Sequence, residues 1–174
     1  MSRIERERTA IWLVRSLLSV AAVAIVAASW SVIDRDPSRA GIFTGIAGAA
    51  LIGAAEAPGI SSPPDRFLAS ILDRGFDGAI LGTIAWAYLT SEPWVAAGAL
   101  FAMGASFLAA YVRARGASLG YGIDEGVGTR TLRYILVCVG LLTGGLAWAM
   151  WVLFGVMTLA ALVRASQVVK EERA

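Results

Sequence analysis

ILDRGFDGAILGTIAW, residues 71–86, decides how the rest of this chain is read. It reads as an apolar helix, yet it carries Asp73, Arg74 and Asp77. The two aspartates are four residues apart, so both carboxylates stand on one helical face. A charge inside a bilayer-spanning helix is costly, and such residues turn to a bundle interior or a water-filled cavity. The stretch is therefore a candidate site, and the remaining sequence must say of what kind.

The surroundings support a membrane setting. The 174 residues are 57% hydrophobic and only 16% charged, with a mean hydropathy of +0.69. A soluble domain of this size carries more charge. The apolar residues come in long runs, which predicts an all-α integral membrane protein with little outside the bilayer. Abundant Gly and Ala suit close helix packing in lipid. The net charge of +2, without a Lys/Arg run interleaved with aromatics, excludes a nucleic-acid partner. Cys138 is the single cysteine, so no internal disulfide forms, and it reads as a small packing residue. The absence of histidine excludes His-based metal sites and Ser–His or Cys–His catalysis. Any metal would be held by carboxylates, which select hard ions such as Mg²⁺, Mn²⁺ or Ca²⁺.

Six spans are expected in one membrane domain, at about 11–33, 40–57, 67–90, 94–111, 131–146 and 148–165, after a juxtamembrane amphipathic segment at 1–10. The apolar run from Tyr134 to Val163 is too long for one crossing, and Thr143-Gly144-Gly145 offers a break. An even number of spans puts both termini on one side. Twelve of the fifteen Lys and Arg fall on that side: the N-terminal segment, residues 58–66, residues 112–133 and the tail. Arg35 and Arg39 lie opposite. This asymmetry predicts cytoplasmic termini in an inner (plasma) membrane, with the site facing the cytoplasm. Arg113, Arg115, Arg130, Arg133 and Arg164 then surround the cytoplasmic end of the helix that holds Asp73 and Asp77. Carboxylates below a ring of arginines can hold a divalent cation and a phosphate. The plainer readings are positive-inside anchors for the arginines and an interhelical polar contact for Asp73 with Arg74.

Three patches resemble the CDP-alcohol phosphatidyltransferase family, membrane enzymes of phospholipid head-group synthesis. DRGFDGAILGTIAW, residues 73–86, is similar to the family's D-R-x-x-D-(A/G)-A helix. SFLAAYVRARGASLG, residues 106–120, is similar to its S-Y-(V)-(K/R)-A-R-A segment, and GTRTLRYIL, residues 128–136, to its E-R-P-E-R-L segment. The tail LVRASQVVKE resembles the last helix. The likeness runs from about residue 66 to the end and is nearest to the branch making phosphatidylinositol phosphate or phosphatidylglycerol phosphate. It implies transfer of a phosphatidyl group from CDP-diacylglycerol to a phosphorylated polar alcohol, with Mg²⁺ or Mn²⁺ as cofactor. It further implies Asp73 as the catalytic position, Asp73 and Asp77 as metal ligands, and Arg113, Arg115, Arg130, Arg133 and Arg164 on the acceptor phosphate. Membrane lipid is a partner, and dimers are expected, with a second copy or with a paralogue.

The family's signature, D-x2-D-G-x2-A-R-x8–9-G-x3-D-x3-D, is missing. With Asp73 on the final aspartate, the third falls on Ala69 and the first pair near residues 47–52, AGAALI. A second register sets Ala69, Asp73 and Asp77 on the last three positions and still lacks the first pair. Two metal ions bridging a diphosphate need several anionic oxygens fixed together. The sequence therefore predicts a diverged member with weak or no activity, possessing no bound metal if inactive. The alternative is a non-catalytic partner of an active paralogue, or a protein that binds a phosphorylated head group or lipid.

Overall fold

The computed structural model describes residues 3–56, 63–122 and 129–171. Residues 57–62 and 123–128, which hold most of the Pro/Ser connection and the Asp124–Glu125 end of the long polar segment, lie outside the described residues. Every regular element described is helical: α1 (Arg3–Ile33), α2 (Pro37–Glu56), α3 (Pro63–Phe76), α4 (Gly82–Tyr88), α5 (Pro93–Ser118), α6 (Thr129–Thr143) and α7 (Leu146–Glu171). A π-helical turn, Asp77–Leu81, joins α3 to α4 without a break. The segment expected at the membrane surface is the first part of α1, continuous with the apolar stretch that follows.

Among the described residues, four stretches are long and apolar enough to cross a membrane: Ile11–Ile33, Pro37–Glu56, Pro93–Ser118 and Leu146–Val169. The helical run from Pro63 to Tyr88 and the 15-residue α6 are the other two elements of the bundle.

Short polar chemistry sets the turns. Asp36 precedes Pro37 and caps α2, its Oδ1 accepting the Arg39 N–H at 3.0 Å. Between α1 and α2, Arg35 takes a left-handed conformation, φ 57°. Its guanidinium is carried across to α4, donating to the Ala87 carbonyl at 2.8 Å and the Ser91 hydroxyl at 3.3 Å. At the other end of α1, Arg15 pairs with Asp65 of α3 at 3.4 Å. These two contacts make α1 run parallel to α3–α4. α5 ends in a Schellman motif on Gly120, φ 91°, with Gly120 N–H on the Ala117 carbonyl and Tyr121 N–H on that of Gly116, both at 3.1 Å. The Tyr134–Val163 run breaks at Gly144, φ 71°, so two helices occupy it.

Small residues let these helices touch. A Cβ on Gly48 would stand 2.9 Å from the Tyr134 side chain, and one on Gly41 2.6 Å from Leu142. Cys138 fits between them, its thiol 3.3 Å from the Gly41 carbonyl. Gly140 accepts Ala149 of α7, and Gly98 of α5 accepts Met150 and Trp151. In the middle of the bundle Phe76, Ile80, Leu81 and Ile84 are fully buried. The helix that carries the aspartates therefore runs through the core.

Candidate functional site: a buried carboxylate–guanidinium cluster

Asp73 and Asp77 both turn inward and are buried, as the four-residue spacing and the expense of a lipid-facing carboxylate require. Arg74, between them in sequence, folds back over both. It bonds Asp73 Oδ2 and reaches Asp77 Oδ2 at 2.9 Å. It also donates to the Ser106 carbonyl and hydroxyl, at 3.2 and 3.3 Å. Ser106, on α5, donates its hydroxyl to Asp77 Oδ2 at 2.6 Å.

The opposite wall is α6. Arg130, Arg133 and Tyr134 share one helical face through their three- and four-residue spacing. Arg133 is only 3% exposed. It bridges the aspartates, with Nη2 on Asp73 Oδ1 and Nε 2.9 Å from Asp77 Oδ1. The second contact is an ion pair without hydrogen-bond alignment. A further bond runs from Arg133 Nη1 to the Ser106 hydroxyl at 3.3 Å. The Tyr134 hydroxyl donates to Asp73 Oδ1, and its ring meets Phe76 edge-on at 4.6 Å. Arg130 is the loosest member, 3.7 Å from Asp73 Oδ1 with a third of its side chain exposed.

Each of the four carboxylate oxygens thus lies against a guanidinium of this chain, and two of them also accept a hydroxyl. Three guanidiniums face two carboxylates, which leaves one positive charge in excess. Buried charges are tolerated when so paired, and removing one partner strands the other.

The arginines expected in one ring have separate places. Arg130 and Arg133 are in the cluster. Arg164 is buried and donates to the Ala109 carbonyl at 3.0 Å, tying the end of α7 to α5. Arg113 is half-buried and Arg115 exposed, about two turns or more beyond Ser106 on α5. Ser106 and Tyr134 have roles that the sequence reading did not assign. The signal for Tyr134 was its position four residues after Arg130 and next to Arg133. Ser106, seven residues before Arg113, opens the second family-like patch but carries no spacing of its own to mark it.

The residues present do not fit a Mg²⁺ or Mn²⁺ pair. Among the described residues no three His, Cys, Asp or Glu side chains gather as a ligand set. A cation at Asp73 and Asp77 would have to displace arginines from every oxygen and then sit among them. The place where the missing aspartates would fall is closed as well. Ala47, Gly48, Ala50 and Leu51 are buried, and Gly48 lies against Tyr134.

Comparison of the sequence with protein-family models and with characterised proteins finds no match.

Proposed function

We propose that this chain is a non-catalytic membrane protein of the CDP-alcohol phosphatidyltransferase type, which holds a phosphorylated head group at its arginines and transfers nothing. The carrying observation is that all four oxygens of Asp73 and Asp77 are already occupied by Arg74, Arg130, Arg133, Tyr134 and Ser106. In such a site the carboxylates order the guanidiniums instead of a metal. Arg133 and Arg74 are fixed from several sides, and the more exposed Arg130 has the weakest pair to give up. The excess positive charge is then offered to an anion at the Arg130 edge. Phosphate oxygens suit it, because a guanidinium presents a planar fork of donors.

The reading places six spans in the inner membrane, with both termini and the arginine cluster toward the cytoplasm. Three observations support this: the parallel course of α1 and α3–α4, the turn at Gly144, and the bias of Lys and Arg to one side.

The test is release of CMP from CDP-diacylglycerol by purified protein with Mg²⁺ or Mn²⁺ and inositol phosphate or glycerol phosphate. Binding of the same two phosphates is measured in parallel. No CMP above that of Asp73→Asn, together with phosphate binding weakened by Arg130→Gln, is the expected result. CMP release that Asp73→Asn abolishes contradicts the proposal.

A further inference from the structure

At the far end of α1 from the arginine cluster, α1 and α2 enclose an open groove of about 1030 Å³. Val23, Val26 and Phe43 form its apolar length, and Trp30, Asp34 and Arg39 close its polar end. The two helices are among those apolar enough to cross a membrane, so the groove runs from apolar depth to a charged rim.

Three features give the rim its chemistry. Asp34 is exposed, and its carboxylate makes no hydrogen bond or ion pair with the described residues. Trp30 stands one turn before it, 65% exposed. Arg39 is paired with Asp36 at 3.1 Å and remains 75% exposed. The one other cation nearby in sequence, Arg35, is drawn away to Ala87, Ser91 and the Tyr88 ring. A carboxylate beside an indole is the pairing that receives an ammonium group, by charge and by the ring face. The Arg39 guanidinium, which lines the same end from the start of the next helix, suits a phosphate.

We infer that this groove holds one phospholipid with an amine head group, its ammonium at Asp34 and Trp30, its phosphate at Arg39 and an acyl chain along Val23, Val26 and Phe43. The complementarity is to a zwitterion. A purely anionic head group brings no positive charge to Asp34 and Asp36. The site is independent of the arginine cluster and stands whether or not that cluster binds phosphate.

The test uses the full chain in detergent, offered equal amounts of dioleoyl-phosphatidylethanolamine and dioleoyl-phosphatidylglycerol, with retained lipid read by native mass spectrometry. One phosphatidylethanolamine per chain is expected to be held. Asp34→Asn and Trp30→Leu should each lower its retention about threefold. Retained phosphatidylglycerol, and the effect of Trp86→Leu on an unrelated apolar surface, should not change. Both groove side chains are exposed, so the melting temperature should hold. The inference is overturned if both variants keep as much phosphatidylethanolamine as the parent. It is also overturned if Val26→Cys, in a Cys138→Ser background, cross-links two chains across the groove, since a second copy would then be its occupant.

Discussion

The middle of α5 and its N-terminal end face different chemistry. At its middle, Ser106 sits in a charged cluster where every carboxylate oxygen lies against a guanidinium. Near its N-terminal end, α5 meets α7 through rings and small residues. Trp94 stacks on Trp151 at 4.4 Å, Phe101 lies against Trp151 and Phe154, and Gly98 makes room for Trp151. That apolar end leaves the Trp151 indole N–H buried with no hydrogen-bond partner among the described residues. A neutral donor left unpaired costs about 1–3 kcal/mol, which packing can offset. A stranded charge in the same setting costs more than packing returns. The cluster must therefore be nearly complete or absent, whereas the aromatic end can be imperfect.

That contrast predicts where the bundle breaks. Arg133→Met, which removes the buried guanidinium bridging both aspartates and leaves Asp77 Oδ1 facing none, should cost about 3–5 kcal/mol in thermal or denaturant unfolding. Adding Asp77→Asn to it, which restores the parent's charge balance, should recover part of the loss; a double variant no more stable than the single one would refute the pairing. Gly48→Leu comes next, at about 1–3 kcal/mol, because the added atoms meet Tyr134 where α2 and α6 touch. Its effect should be independent of added salt. Ser106→Ala should cost about 1 kcal/mol, since one hydroxyl serves Asp77, Arg74 and Arg133. Arg130→Gln should change stability by less than about 1 kcal/mol, because its pair is long and partly exposed, while weakening phosphate binding. A large stability loss in this last variant would mean that Arg130 is part of the structural lock instead of its open edge.

Much of the helical order could be read from local residues. Asp36-Pro37 and Glu92-Pro93 mark helix starts, Gly120 and Gly144 mark stops, and the spacing of Asp73 and Asp77 puts both on the inward face. What could not be read is which groups answer those carboxylates. Arg133 lies sixty residues from Asp73 in the chain, and only the meeting of α3, α5 and α6 brings them together. From the sequence, Arg130 and Arg133 looked like part of a phosphate ring and the aspartates like metal ligands; the structure brings the two sets into one cluster. The π-helical turn at Asp77–Leu81 also left no mark, since Asp-Gly-Ala-Ile-Leu has neither proline nor a polar pattern to announce it.

Manganese tests the central claim most directly, because free Mn²⁺ gives an electron paramagnetic resonance signal that is lost on binding. Titrated into the purified chain in lipid nanodiscs, Mn²⁺ should keep its full free-ion signal, and Asp73→Asn should behave identically, since guanidiniums hold the carboxylates. Signal lost in proportion to protein, and regained in Asp73→Asn, would show instead a metal at Asp73 and contradict the account.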